Sequence, residues 1–171
     1  MSGIHRLLLV AAILVVLGGC YADLDWREIR APSVGYGVLM PARTQEQSRP
    51  LVGLTGEPVM HMWSATALDT LFGFGYLERP AKHAIRLTDL GDALVRNIAG
   101  KIVSTRQMKS GDLTGLELVA VGEVGGRPAQ LHARLIEDGS RIIQLAVLGP
   151  PGKIGQADLE MFLDSLRIGR F

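Results

Sequence analysis

The chain is short of cysteine, of aromatic residues and of net charge. It has 171 residues and one cysteine, Cys20, so no internal disulfide can form. If Cys20 is used elsewhere, there is no thiolate nucleophile and no thiolate metal site either. Aromatic residues make up 5% of the chain, which argues against a stacking platform for bases or sugars. The net charge is +1, and taking away Arg6 balances 17 basic against 17 acidic residues. Nucleic-acid binding needs a basic excess on one face, and none is present.

Several motifs are missing as well. There is no Gly-x-Ser-x-Gly elbow and no phosphate loop ending in Gly-Lys-Ser/Thr. Gly73-Phe74-Gly75 lacks a third glycine and opens no helix, so it is not a dinucleotide fingerprint. The carboxylates are scattered through turns and helix starts. No catalytic residue, cofactor site or metal site is assigned. Met60-His61-Met62 offers soft ligands that suit copper(I), but a strand sends His61 to the face opposite both methionines. His83 and His132 are solitary.

What is present begins at Met1. Arg6, beside His5, precedes the apolar run Leu7–Leu17, and Gly18 and Gly19 follow. That is the order of a secretory signal: basic start, apolar middle, small residues. The run is shorter than the roughly 20 residues of a membrane span. The alternatives are an uncleaved helix and an accidental cysteine in the leader. Leu17-Gly18-Gly19-Cys20 resembles the lipobox of bacterial lipoproteins. The resemblance implies a diacylglycerol thioether on Cys20, cleavage before it and acylation of the new amine. Residues 1–19 are then a signal peptide, 20–33 a lipidated tether and 34–171 a single domain. Tyr21 is not the aspartate that retains lipoproteins in the inner membrane. In a cell with two membranes the expected place is therefore the outer membrane, facing the periplasm.

The rest alternates strand and helix signals. Val34–Met40 and Val59–Thr66 read as strands at period two, separated by an exposed polar loop over 42–50. Leu71–Leu77 puts Phe72, Phe74 and Tyr76 on one face and Gly73 and Gly75 on the other. That aromatic stripe reads as core; as a groove wall it would bring Trp63 near a bound lipid. Thr88–Ala99 reads as a helix capped by Thr88 or Asp89, with the stripe Leu90, Leu94, Val95 and Ile98, and Gly100 as its left-handed end. Lys101–Met108 is a strand. Leu116–Val124, Arg127–Ile136 and Arg141–Leu148 follow as a meander, turning at Gly125-Gly126 and Asp138-Gly139. The second of these has one polar face (Gln130, His132, Arg134) and suits a place near an edge. The third is apolar on both faces apart from Gln144, so it should be central. Gln156–Ile168 is the closing helix, with Leu159, Phe162, Leu163 and Leu166 on one side.

This order of elements resembles the Mog1/PsbP-like superfamily over roughly 34–168. Val38-Leu39-Met40-Pro41, Gly115-Leu116-Glu117-Leu118 and Phe162-Leu163-Asp164-Ser165-Leu166 carry the resemblance. It implies an α+β fold: an antiparallel sheet with helices on both faces, an α/β/α sandwich. Characterised members are mostly binding or assembly proteins, among them a GTPase-binding factor and a photosystem II extrinsic subunit. No functional residue of either maps onto this chain. The expectation is a lipid-anchored, non-catalytic accessory protein with a membrane contact through Cys20 and a protein partner in the envelope. The alternative is a small-ligand or lipid-binding module that uses the sheet face. A roomy apolar pocket would favour the second.

Overall fold

A computed structural model describes residues 24–54, 56–79, 85–110 and 113–169. Leu17, Gly18, Gly19, Cys20 and His83 lie outside the described residues. No helix among those described is long and apolar enough to cross a membrane.

The frame is a seven-stranded sheet in the order β3-β4-β5-β9-β8-β7-β6. Its strands are β3 (Gln45–Pro50), β4 (Val59–Ala67), β5 (Thr70–Glu78), β6 (Lys101–Ser110), β7 (Leu113–Val124), β8 (Arg127–Asp138) and β9 (Arg141–Gly149). Every neighbouring pair is antiparallel. β9 is the middle strand, as its two apolar faces require. A second sheet has three strands, β1 (Arg27–Ala31), β2 (Tyr36–Met40) and β10 (Arg167–Ile168), with β2 in the centre. The helices are α1 (Leu87–Asn97) and α2 (Gln156–Leu163).

The large sheet separates two apolar cores. On one face Phe72, Phe74, Ile143, Leu145 and Val147 pack against Tyr36, Val38 and Met40 of β2 and Leu159 and Phe162 of α2. On the other, Leu118, Ala120, Leu131 and Leu135 pack against Leu90 and Val95 of α1 and Ile98, which caps its C-terminal end. The first cover is mainly a small sheet, so the expected helical layer on both faces is replaced there by β structure with one short helix.

Sequence patterning missed several elements for identifiable reasons. The spacer expected over 21–33 is a strand in its second half. Ile29 and Ala31 point inward, Ile29 pairs with Val38, and Trp26 meets Phe72 edge-on at 6.4 Å. Arg27, Glu28 and Arg30 mask this pattern from the other face. The loop expected over 42–50 contains β3, whose side chains are all exposed. An edge strand needs no apolar face, and polar residues with a terminal Pro50 keep such an edge from pairing further. The closing helix stops at Leu163. Asp164 and Ser165 turn the chain, and Arg167 and Ile168 pair with Gly37 and Tyr36.

Smaller differences concern caps and turns. Asp89 does not start α1. It sits in the first turn and accepts a hydrogen bond from the Arg86 backbone N–H at 3.2 Å. Ala99, at φ +45°, takes the left-handed position expected of Gly100. Gly100 is needed instead for close approach: a Cβ there would sit 2.7 Å from the Val121 carbonyl oxygen. Gly125-Gly126 forms the turn between β7 and β8, both with positive φ. Asp138 pairs with Arg141, so the next turn is Gly139-Ser140.

Candidate functional site

α1 packs on β7 and β8. Gly91 lets it lie close there, since a Cβ would meet Leu118 Cδ2 at 2.8 Å. Among the described residues, no such helix lies over the same face of β4, β5 and β9. A cleft of about 660 Å³ lies between this part of the sheet, the outer side of α1 and residues 51–54.

Strand register explains the space. Ser64 pairs with Gly73, Gly73 with Ala146, and Ala146 with Ala133. Four small residues therefore form one row across four adjacent strands, and three of them floor the cleft. A Cβ added at Gly73 would find its nearest atom 3.9 Å away. Two residues along the same strand, a Cβ at Gly75 would lie 2.8 Å from the His61 carbonyl oxygen. Gly75 is thus a close-approach glycine, whereas Gly73 simply leaves room.

The cleft wall is mostly apolar: Leu54, Met60, Met62, Leu90, Leu94 and Leu148 among others. Paired thioethers adapt to irregular ligand shapes. The polar lining consists of Gln47, Arg49, Ser64, Asn97 and Gln144. Among the described residues no carboxylate, imidazole or thiol lines it. It therefore has no pairing of a nucleophile with a base, and an apolar molecule with few polar groups is what it can hold. Gln144 is the one buried amide in this region, at 6% exposure.

The sites singled out in the sequence fall elsewhere. Met60 and Met62 reach the cleft, while His61 lies on the opposite face, 2.8 Å from Ser48 Oγ through Nδ1 and stacked on Tyr76 at 5.0 Å. The three cannot converge. No group of three or more His, Cys, Asp and Glu able to hold a metal occurs among the described residues. Phe72, Phe74 and Tyr76 are buried core, and Trp63 stacks on Phe74 at 5.4 Å on that side, remote from the cleft floor. β8 is not near an edge. Its polar face is covered where Arg134 donates to the Leu163 carbonyl and to Asp164, both at 2.7 Å, and to Glu117 at 2.9 Å. Burial pushes the Glu117 carboxyl up, but hydrogen bonds from Arg106 and Arg134 outweigh it and hold it below the ordinary value. His132, also on this face, is pushed down by burial.

Sequence patterning alone did not find the cleft. Gln144 stood out as the one polar residue in an apolar strand. Arg49 was lost in an apparent loop, and the row of small residues exists only once the strands are in register.

No family profile matches the sequence, and no curated protein does. Solved structures do match. The solution structure of cyanobacterial PsbP (CyanoP) from Synechocystis sp. PCC 6803 superposes with a TM-score of 0.62 at 11% identity, over 90% of this chain and 99% of that one. A crystal structure from Bacteroides thetaiotaomicron VPI-5482 superposes with a TM-score of 0.52 at 13% identity, over 84% of this chain and 48% of that one. This chain spans about half of the second structure. At these identities the likeness is one of architecture: the chain has a PsbP-like fold, built of antiparallel sheets with two helices among the described residues.

Proposed function

We propose that this is a non-catalytic accessory protein of the bacterial envelope, lipid-anchored through Cys20, that works by binding a small apolar ligand in the cleft. One observation carries the binding role: a cleft of about 660 Å³, inside the usual range for ligand sites of roughly 300–1,000 Å³, with apolar walls and no acid–base pair. A pure scaffold has no need of such a space. The fold is compatible with an accessory role but does not identify one. The anchor is inferred from Leu17-Gly18-Gly19-Cys20 after the apolar run, and two or three acyl chains there would hold the protein at a membrane stably.

Two measurements test this proposal. The intact mass of membrane-extracted protein should lack residues 1–19 and carry lipid; the same truncation without lipid would sink the anchor. An environment-sensitive apolar dye should bind the full chain, and Ala146→Phe, which fills the floor, should abolish that binding. Undiminished dye binding by Ala146→Phe would move the site away from the cleft.

A further inference from the structure

The polar groups of the cleft narrow the ligand class, given that the cleft is a binding site. Gln144 is more than nine-tenths buried, yet its carboxamide makes no side-chain hydrogen bond among the described residues. Its amide atoms are not sealed from solvent, so water in the cleft serves them, and a ligand that displaces this water loses affinity unless it offers a hydrogen bond of its own. Gln144 lines the cleft beside the small-residue floor, so a ligand oxygen there would take the water's place. Arg49, on edge strand β3, also lines the cleft and joins no ion pair among the described residues. With no carboxylate in the lining, this end favours an anion. Three strand spacings separate β3 from β9, about 14 Å across the sheet. Apolar residues and small side chains occupy the path between them.

We propose that the cleft binds a long-chain carboxylic acid: the carboxylate pairs with Arg49 at the rim, the chain lies along Ser64, Gly73 and Ala146, and an oxygen carried part-way along the chain hydrogen-bonds Gln144. The acyl group could come from free acid or from the lipid on this chain's own Cys20. We commit to free acid. Trp26, near the anchored end, packs on the core at the opposite face of the sheet from the cleft.

Calorimetric titration of the full chain with three probes tests this. Oleate has the head and the chain, oleyl alcohol lacks the charge, and ricinoleate adds a hydroxyl midway along. Oleate should bind about tenfold tighter than oleyl alcohol, and ricinoleate about fivefold tighter than oleate. Arg49→Gln should erase the first preference alone, and Gln144→Leu the second alone. Ala146→Phe should abolish all three; Gly73→Val does the same job should that variant fold poorly. Binding of all three probes alike, unmoved by Arg49→Gln, would overturn the headgroup assignment and leave the cleft as a site. No binding of any probe, to either the lipidated protein or Cys20→Ala, would overturn this proposal. A dye still displaced by Ala146→Phe would separate that failure from failure of the cleft itself. Binding to Cys20→Ala but not to the lipidated protein would show the chain's own acyl group as the occupant.

Discussion

The two faces of the seven-stranded sheet are made from the same strands but are covered to different ends. On one, Phe72, Phe74, Ile143, Leu145 and Val147 are closed over by β2 and α2, with Phe72 and Phe162 edge-to-face at 5.3 Å. On the other, α1 closes β7 and β8 and stops, leaving Ser64, Gly73 and Ala146 to floor a cleft. The packed face stabilises the fold. The half-covered face gives up apolar burial, and natural proteins tend to do so where a site is kept.

Truncation should expose the difference most strongly. Phe162→Ala, at a fully buried position, should cost about 3–5 kcal/mol in urea unfolding. Leu94→Ala, half-buried beside the cleft, should cost about 1 kcal/mol. Equal losses would break the comparison. The two glycines of β5 sharpen it further. Gly75→Ala forces a Cβ against the His61 carbonyl and should cost about 2 kcal/mol. Gly73→Ala meets nothing closer than 3.9 Å and should be neutral or stabilising by about 0.5 kcal/mol.

Glu117 tests what holds the polar patch of the packed face together. Its carboxyl is held below the ordinary value of 4.5 by Arg106 and Arg134 against the opposing effect of burial. The unfolded chain therefore takes up this proton at higher pH than the folded one. The stabilisation is complete above about pH 4.5 and is lost as pH falls through the depressed value. Glu117→Gln should lose about 1–2 kcal/mol at neutral pH, a range that allows for the solvent around exposed Arg106. It should also flatten the acid limb of a stability–pH curve; an unchanged limb would remove Glu117 from the account. Gln144→Leu should have a small effect. Its amide faces the solvent of the cleft, so replacing it with a hydrocarbon should change stability by less than about 0.5 kcal/mol in the same unfolding assay.

Much of the meander was legible because Gly125-Gly126 fixes one hairpin and the two apolar faces of β9 put it in the middle. The helix α1 was legible from its stripe of Leu90, Val95 and Ile98. What was not legible depended on partners distant in sequence. β1 and β10 have weak patterns of their own and exist because β2 offers them two edges. β3 has no apolar residue facing a core at all. The site was harder still. Ser64 and Ala146 carry no signal singly, Gly73 stood out only as a glycine on a strand face, and the three become a floor only through register. Gly73 and Gly75 look alike in sequence but do different work. The unexpected polarity of Gln144 was visible from the start, but its meaning needed the space beside it.

The most direct test is a map of amide NMR shifts during titration of the full chain with oleate. The account predicts changes concentrated at Ser64, Gly73, Gln144 and Ala146 and along the outer side of α1 at Leu94. Changes centred on Trp63, Phe72 and Phe162, or none at all, would contradict it.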